Sequence, residues 1–308
     1  MKTCDKCGKS AVTFIRYSGM HLCKKHLSEF FERRVKKEIR KQITLGKNEI
    51  VAVAVSGGKD SIVALHILQK ILGKRRDLKI HAITVDEGIS GYRPKSIIIA
   101  RKNCKALGIT QHIIGFKDII GFTMDEISRL PIKTTPCSYC GVFRRKCLNL
   151  KAKEIGATKL ATGLNLDDTA QSIIMNFMRG DVEKLARLGP HKRIQDGLVP
   201  RIQPLKYIPE KETYLYAMLN NIEFYGGECP YSERALRGKF REILNNLEKD
   251  TPGTRHAILR SNDQIVDALV ESFPPTKLKN CMECGEPTLN KICKSCTMIK
   301  DLKGMSSL

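Results

Sequence analysis

The sequence lacks any long hydrophobic run. No stretch reaches the roughly 18 to 20 consecutive apolar residues that a helix needs to span a bilayer. The first residues, Met1 to Asp5, do not open a signal-peptide pattern. Hydrophobic residues nevertheless make up 42% of the 308-residue chain, enough for the core of one large domain or two. We therefore expect a soluble, cytoplasmic, globular protein with no membrane partner.

Acidic residues are scarce. The chain has 32 Asp and Glu against 54 Lys and Arg, a formal net charge of +22. Such an excess indicates a polyanionic partner, most often nucleic acid, although it also serves general solubility. A helical pattern from Phe30 to Lys47 carries a group of these cations, namely Arg33, Arg34, Lys36, Lys37, Arg40 and Lys41. The pattern predicts either a helix that contacts RNA or a solvated helix face.

The twelve cysteines lack the setting of a disulfide framework, which is typical of small secreted chains. In a chain of this length without a signal pattern, paired cysteines more often bind metal. Two sets have the spacing of zinc ligands: one comprises Cys4, Cys7, Cys23 and His26, and the other Cys281, Cys284, Cys293 and Cys296. We predict a structural zinc ion in each set, two in all, whose binding supplies folding energy to the small terminal modules. Free buried cysteines are the alternative.

Between these modules, apolar runs alternate with helical patterns. Strands are predicted at residues 50–55, 78–85, 110–116 and 158–162, and helices at 61–72, 94–107, 125–130, 144–155 and 167–178. The alternation predicts an α/β fold with a doubly wound parallel sheet, whose ligands bind beyond the carboxyl ends of the strands. Ser56, Asp86 and Gly163 each follow a predicted strand, so we expect them to meet in one crevice.

A glycine-rich turn follows the first of these strands. It consists of Ser56, Gly57, Gly58, Lys59, Asp60 and Ser61. The backbone N–H groups at a helix start have no internal partners, the two glycines let an anion approach, and Lys59 adds a charge. The turn therefore predicts a phosphate site, although an ordinary glycine turn has similar letters. It is not a Walker A loop, because Asp60 stands where that motif has Ser or Thr and the first glycine of the motif is missing.

Four motifs in order resemble a known family. They are Ser56 to Ser61, Thr135 to Gly141, Gly163 to Ala170 and Gly227 to Pro230. Together they resemble the TtuA/NcsA group of tRNA 2-thiolation enzymes, which are PP-loop ATP pyrophosphatases. The two zinc modules extend the resemblance over essentially the whole chain and favour this uridine branch over TtcA-type cytidine enzymes, which are expected to lack them.

The resemblance implies an ATP-dependent tRNA uridine 2-sulfurtransferase that releases AMP and pyrophosphate. It assigns ATP with Mg²⁺ to the loop residues Ser56 to Ser61, with Lys59 also catalytic. It places Asp86 and Gly163 near the nucleotide and gives Asp168 a role with substrate protons. Asp167 is assigned to the nucleotide as its neighbour, because sequence does not separate the two. The wobble uridine is the favoured target and the T-loop uridine the other.

The same resemblance assigns Cys137, Cys140 and Cys229 to an oxygen-sensitive 4Fe-4S cluster with one iron left open. The implied partners are tRNA, sulfide or a ubiquitin-like thiocarboxylate carrier as sulfur donor, and a second copy in a homodimer. A basic residue, here Arg144, is expected after Val142-Phe143. Cys147 is a possible fourth ligand, but its position in the middle of a predicted helix favours the core.

Other interpretations of the chain stay open at this point. Cys137 and Cys229 could carry a persulfide and resolve it as a disulfide without iron, or the three cysteines could hold a third zinc ion. The whole protein could be a zinc-ribbon nucleic-acid binding module with a non-catalytic ATP site. An amidotransferase-type synthetase explains neither the basic charge nor these cysteines.

We divide the chain into five parts on these grounds. They are an N-terminal zinc finger (residues 1–30), a basic linker helix (31–47), the PP-loop catalytic domain (48–230), a helical part (231–275) and a C-terminal zinc ribbon (276–308), with Pro274-Pro275 marking the last boundary.

Overall fold

The computed structural model describes residues 2–190, 195–232, 237–274 and 276–306. Its strands are β1 (Thr13–Ile15), β2 (Met20–Leu22), β3 (Glu49–Ala54), β4 (Leu78–Asp86), β5 (Thr110–Gly115), β6 (Lys159–Ala161), β7 (Arg201–Ile202), β8 (Lys279–Asn280) and β9 (Pro287–Thr288). Within the described part of the chain, no helix is both long and apolar enough to cross a membrane.

The helices account for most of the remaining regular structure. They are α1 (Lys24–Gln42), α2 (Lys59–Leu72), α3 (Arg93–Ala106), α4 (Phe116–Ile120), α5 (Met124–Arg129), α6 (Pro136–Glu154), α7 (Leu166–Met178), α8 (Val182–Ala186), α9 (Glu210–Leu219), α10 (Arg237–Asp250), α11 (Thr254–Ser272) and α12 (Lys294–Ser306).

Five parallel strands form the central sheet in the order β5-β4-β3-β6-β7. In the central strand, Val51 and Val53 belong to a core with α1, α2 and α3, whereas Ala52 faces a core with α4, α5 and α6. This alternation follows from the two-residue repeat of a strand, and it covers both faces of the sheet with helices. The predicted doubly wound parallel sheet is confirmed.

Two differences from the predicted elements bear on the site. The strand β7 has only two residues and lies in a stretch that the sequence presents as a loop, so its hydrophobic pattern was too short to detect. The helix α6 begins at Pro136 rather than Arg144, because proline is tolerated in the first turn of a helix. Cys137 therefore lies in the first turn of α6, and Cys140 lies at the start of the second turn.

The basic helix is α1, and it begins within the N-terminal module at Lys24. Its apolar side packs Val35 and Ile39 into the core, as the sequence pattern predicts. Arg34 departs from the predicted cationic face. Its guanidinium lies 4.1 Å from the Phe30 ring centroid and pairs with the buried Glu212, so Arg34 stabilises the fold.

The C-terminal module packs against α6. Met298 and Leu302 of α12 join the core that contains α6. Asn149, which is buried in α6, donates to Glu286 Oε2 of the module at 2.9 Å. The module therefore shares the core that contains α6. The second proline of the predicted boundary at Pro274-Pro275 lies outside the described residues.

Candidate nucleotide and metal sites

The glycine-rich turn is folded against helix α3. Gly57 has φ of +89°, and a Cβ at this position would lie 2.1 Å from the Ser96 carbonyl oxygen, so only glycine fits. The Ser61 hydroxyl accepts the Ser56 N–H at 3.1 Å and donates to the Gly58 carbonyl at 2.8 Å. Ser61 is buried and holds the turn closed, while Ser56 is exposed at its mouth.

Lys59 has two carboxylate partners in this structure. Its ammonium lies 2.8 Å from Asp60 Oδ1 and 3.3 Å from Glu210 Oε1, and its side chain is 15% exposed. Glu210 is the first residue of helix α9 and is distant from the loop in sequence. No local sequence pattern predicts that it contacts Lys59. Two carboxylates therefore already compensate the charge of Lys59.

The neighbours Asp167 and Asp168 have different environments. Asp167 Oδ2 accepts the Glu210 N–H at 2.7 Å, and its Oδ1 lies 3.0 Å from Arg255 Nε, which gives Asp167 a structural role. Asp168 caps helix α7 together with Asn165. Burial, opposed by Arg237 at 3.4 Å, raises the pKa of Asp168 to about 6.

Two helices in the stretch from Tyr231 to Phe273, where the sequence showed no site, thus reach these carboxylates. Arg237 belongs to α10 and Arg255 to α11. The sequence predicts a helical part at residues 231–275, but a local pattern does not show which cation faces which carboxylate.

Gly163 lies directly over the start of α2. A Cβ at Gly163 would come within 2.8 Å of the Asp60 carbonyl carbon. Asp86, at the end of β4, accepts the Gly88 N–H at 2.9 Å. The end of β6 is therefore in contact with the glycine-rich turn, as the parallel order of the strands requires.

The turn is also joined to the segment that carries Cys229. The Tyr225 N–H donates to the Gly57 carbonyl at 2.9 Å, and Gly58 forms a parallel bridge with Tyr225. Cys229 is the fourth residue after Tyr225, which limits their Cα separation to about 14 Å. Cys229 is thus held near the phosphate loop by the backbone.

The three central cysteines are partly buried. Cys137 Sγ lies 3.4 Å from the Tyr231 carbonyl oxygen, and Arg144 Nη2 donates to Cys140 Sγ at 3.1 Å. Burial raises the pKa of Cys140 to about 11, against the charge of Arg144. Cys104 and Cys147 are instead fully enclosed in the two cores, which accounts for them as packing residues.

The terminal cysteine sets each converge on a point. Their four ligand atoms lie within 4.8 Å of one another in the first set (Cys4, Cys7, Cys23, His26) and in the second (Cys281, Cys284, Cys293, Cys296). In both modules a glycine with positive φ, Gly8 or Gly285, donates its N–H to the first cysteine's carbonyl at 2.9 Å. This repeated knuckle geometry fits one tetrahedral ion in each set.

The central set differs from the terminal ones. Among the described residues, the groups of three or more possible ligands that converge within 4.8 Å are the two terminal sets. Cys137, Cys140 and Cys229 therefore do not converge on one point, which does not fit a single tetrahedral ion. Burial raises the pKa values of Cys137 and Cys140, and the charges of the neighbouring thiols raise them further, so the three thiols are nevertheless close to one another. Thiols that are close but do not converge fit a cluster, in which each cysteine would bind a different iron.

A buried carboxylate lies between the phosphate loop and these cysteines. Glu87, 3% exposed, accepts from Arg144 Nε at 2.8 Å through Oε1, and its Oε2 forms an ion pair with Arg93. Arg93 Nη1 donates to the Ser56 carbonyl at 2.7 Å. The sequence placed Arg144 near the site but did not single out Glu87 or Arg93.

Comparisons with known proteins agree with this arrangement. The chain matches the PP-loop domain model over residues 27–248 and the model described as "2-thiouridine synthetase TtuA, N-terminal LIM domain" over residues 3–28. The "tRNA 2-thiolation protein NcsA" of Haloferax volcanii is 36% identical over 98% of this chain and 99% of its own. The "tRNA-5-methyluridine(54) 2-sulfurtransferase" of Pyrococcus horikoshii is 34% identical over 95% and 92%.

A solved structure has the same fold over nearly its whole length. It is the U34-tRNA thiolase NcsA from Methanococcus maripaludis with its [4Fe-4S] cluster, which is 37% identical and superposes with a TM-score of 0.86 over 98% of this chain and 97% of that one. With family models covering most of the sequence and relatives matched end to end, the chain belongs to the PP-loop family and, within it, to the TtuA/NcsA group of tRNA 2-thiolation proteins.

Proposed function

We propose that this protein is an ATP-dependent tRNA uridine 2-sulfurtransferase that adenylates the C2 oxygen of a uridine and replaces it with sulfur. The observation that carries the proposal is the backbone link between Gly57 of the phosphate loop and the segment of Cys229. This link supports a site in which the glycine-rich turn and the thiols act together. A reaction that needs both an activated oxygen and a sulfur nucleophile requires both parts together.

The reaction has two bond exchanges. The uridine C2 oxygen attacks the α-phosphorus of ATP and pyrophosphate leaves, after N3 has given up its proton. A hydrosulfide then adds to C2, its proton moves to N3, and the C2–O bond breaks with AMP as the leaving group. AMP transfer matters because the carbonyl oxygen alone is a poor leaving group.

The chain offers a group for each of these steps. Lys59 and the loop N–H groups bind phosphate oxygens and compensate their charge, with Mg²⁺ bound to the ATP. Asp168, whose pKa is raised to about 6, accepts the N3 proton and returns protons later in the reaction. Asp167 holds α9 and α11 in place through Glu210 and Arg255.

We assign Cys137, Cys140 and Cys229 to a 4Fe-4S cluster. When bound, the cluster supplies an iron position without a protein ligand, at which a sulfur donor can be held beside the activated carbon. Arg144 orients Cys140 through its N–H···S hydrogen bond. The burial of Cys147 supports the choice of three protein ligands rather than four.

The wobble uridine is the proposed target. Support comes from the structural neighbour, which is a U34-tRNA thiolase, while the Pyrococcus horikoshii relative is named for uridine 54. Mass spectrometry of nucleosides in tRNA from a deletion strain tests the assignment. Loss of 2-thiouridine from the anticodon supports it, loss from the T-loop moves the target, and unchanged thiolation at both positions contradicts the function.

A basic surface supports tRNA as the substrate. Arg145 lies near Arg144, and Arg201 lies near Arg145; burial followed by the charge of Arg145 lowers the pKa of Arg201 to about 10. Neither Arg145 nor Arg201 has an acidic partner among the described residues. Cations that repel one another gain stability from a bound polyanion.

The cationic face of α1 leads to a separate prediction. Replacing the exposed Arg33, Lys36 and Lys37 by alanine weakens tRNA binding and lowers the salt slope by about 1 for each residue that contacts a phosphate. Arg34 is left in place because it pairs with Glu212. The measurement is tRNA affinity over a range of salt concentrations. Equal affinity and slope in the variant and the wild type return α1 to a solvated face.

The two terminal sites lead to a prediction about stability. We assign one structural zinc ion to each, and expect Cys4→Ser or Cys284→Ser to lower the melting temperature and the soluble yield, because metal binding is folding energy in such modules. Elemental analysis should give two zinc ions per chain in the wild type and one in either variant. Folded protein with no zinc would contradict the assignment.

The raised pKa of Asp168 leads to a prediction about pH. If its carboxylate takes the substrate proton, kcat/KM falls as the pH is lowered through about 6, where Asp168 becomes protonated in the free protein. Asp168→Asn removes that limb of the profile and lowers the rate by about 10² to 10⁴. Asp167→Asn is the matched neighbour and keeps the limb. If the pH profile of kcat/KM is the same in Asp168→Asn and the wild type, a group other than Asp168 accepts the proton.

A further inference from the structure

A continuous series of contacts leads from the phosphate loop to Cys140. It begins at the Ser56 carbonyl, which accepts Arg93 Nη1 at 2.7 Å, and continues through the ion pair of Arg93 with Glu87 Oε2. Glu87 Oε1 then accepts Arg144 Nε at 2.8 Å, and Arg144 Nη2 reaches Cys140 Sγ at 3.1 Å. Each contact is direct, so the two ends of the site share one charged network.

The half of this network near the loop consists of a buried arginine, Arg93, with several hydrogen bonds. Arg93 is 2% exposed, and besides Ser56 it donates to the Val85 carbonyl, at 3.0 Å from Nε, and to Ser96 Oγ, at 2.9 Å. Its Nε–H is directed at Val85, so Glu87 Oε2 meets Arg93 through charge rather than through a well-aligned hydrogen bond. Arg93 thereby ties the ends of β3 and β4 together next to the glycine-rich turn.

The half near Cys140 depends on Glu87. Half of the Arg144 side chain is exposed, and its partners among the described residues are Glu87 and Cys140. Without Glu87, the guanidinium is therefore held by a single N–H···S contact. Because Glu87 is 3% exposed, its interaction with both arginines is weakly screened by water, and a change at one guanidinium is felt at the other.

We propose that Glu87 is a positioning residue that couples the phosphate loop to the cluster-binding thiol of Cys140. The proposal rests on the proposed function, since it takes ATP at the loop and the cluster at the cysteines. Triphosphate at the loop adds negative charge beside Arg93, which weakens the attraction between Arg93 and Glu87. Glu87 then shifts, and Arg144, which is bound to Glu87, shifts with it. Hydrogen bonds to cysteine sulfur tune the electronic properties of a cluster, so ATP binding changes them before any tRNA is present.

A purely structural role for Glu87 predicts something different. A buried arginine left without its carboxylate destabilises a protein, so any loss of Glu87 lowers the melting temperature. Stability alone therefore does not separate the two roles. The response of the cluster to ATP does, because a carboxylate that merely compensates charge has no reason to transmit nucleotide binding.

The experiment compares Glu87→Gln with the wild type as full-length, anaerobically reconstituted protein. Visible circular dichroism and electron paramagnetic resonance of the cluster are recorded with and without ATP and magnesium, in the absence of tRNA. We expect ATP to change the wild-type spectra, and the change to be lost in Glu87→Gln although iron content and ATP affinity stay close to the wild type. Turnover with tRNA should fall about 10- to 100-fold.

Two further variants control this comparison. Glu212→Gln removes another carboxylate that is 3% exposed and paired with an arginine, Arg34, but that lies outside the network; it should lower stability and keep the ATP response. Arg144→Lys keeps the positive charge but removes the guanidinium, which contacts Glu87 and Cys140 at the same time. Arg144 is half exposed, so this substitution should be tolerated by the fold. It should lose the response while the fold is intact, which keeps the test valid if Glu87→Gln does not fold.

Two results overturn the coupling: equal ATP responses in the wild type and the network variants, or a wild-type cluster that does not respond to ATP. The proposed function is judged separately by tRNA thiolation. A wild type that thiolates tRNA without an ATP response contradicts only the coupling. A wild type that shows the response but thiolates no tRNA contradicts only the proposed function.

Discussion

Replacing any one of Cys137, Cys140 and Cys229 by alanine is expected to abolish both the visible absorbance of the cluster and tRNA thiolation. Each cysteine is assigned to a different iron, and the structure offers no substitute thiol close by, because the nearest along α6, Cys147, is enclosed in the core. Two protein ligands do not hold a four-iron cluster. Iron content, the visible spectrum and thiolation of tRNA by ATP, magnesium and sulfide are the measurements.

Cys104→Ala and Cys147→Ala are the matched controls. Both cysteines are at most 2% exposed and pack in cores, so their replacement should reduce stability by about 1 kcal/mol and leave iron and activity in place. A persulfide mechanism predicts that thiolation does not depend on iron. Thiolation by an iron-free preparation, or a Cys137–Cys229 disulfide that accumulates during turnover, would contradict the cluster assignment and leave tRNA thiolation standing.

The second large effect is expected from Lys59→Ala. Removing the ammonium leaves phosphate charge uncompensated at the loop and also leaves Asp60 and Glu210 without their shared cation. We expect thiolation to fall by at least about 100-fold, with weaker ATP binding and little pyrophosphate release, while the cluster spectrum is retained.

Lys70→Ala is the matched control for this variant. Lys70 lies on the same helix, but it is 57% exposed and pairs with Glu32 at 2.6 Å. An exposed pair of this kind contributes little, so activity should be unchanged. If Lys59→Ala releases pyrophosphate at the wild-type rate, the assignment of Lys59 to the nucleotide site is wrong.

Local patterns were sufficient for much of the fold. The strand at β3 and the helix α2 were predicted because six small or β-branched residues and a helical repeat stand next to each other around Ser56 to Ser61. The ligand sets of the two terminal modules were also recognisable from the sequence. The four residues of each set lie in two pairs, and a short turn fixes the spacing within a pair. In both cases the chemistry depends on residues that are close in sequence.

Long-range pairings were not predictable in the same way. The partners of Lys59, Asp168 and Glu87 come from elements that are distant in sequence, and single-chain periodicity says which face of a helix is buried but not what lies opposite it. The two aspartates illustrate this limit. Asp167 and Asp168 are the same residue type, and only the positions of α9, α10 and α11 distinguish the carboxylate that holds Glu210 and Arg255 from the one that lies near Arg237 and has its pKa raised by burial to about 6.

Helix α6 has its first turn at the central cysteines and its middle against the C-terminal module. Its amides should therefore exchange with deuterium in two cooperative units rather than one. Oxygen exposure, which destroys a cluster, would speed exchange in the turn around Cys137 and Cys140. A zinc chelator would instead speed exchange around Asn149, so two treatments that both appear as metal loss would leave different footprints on one helix.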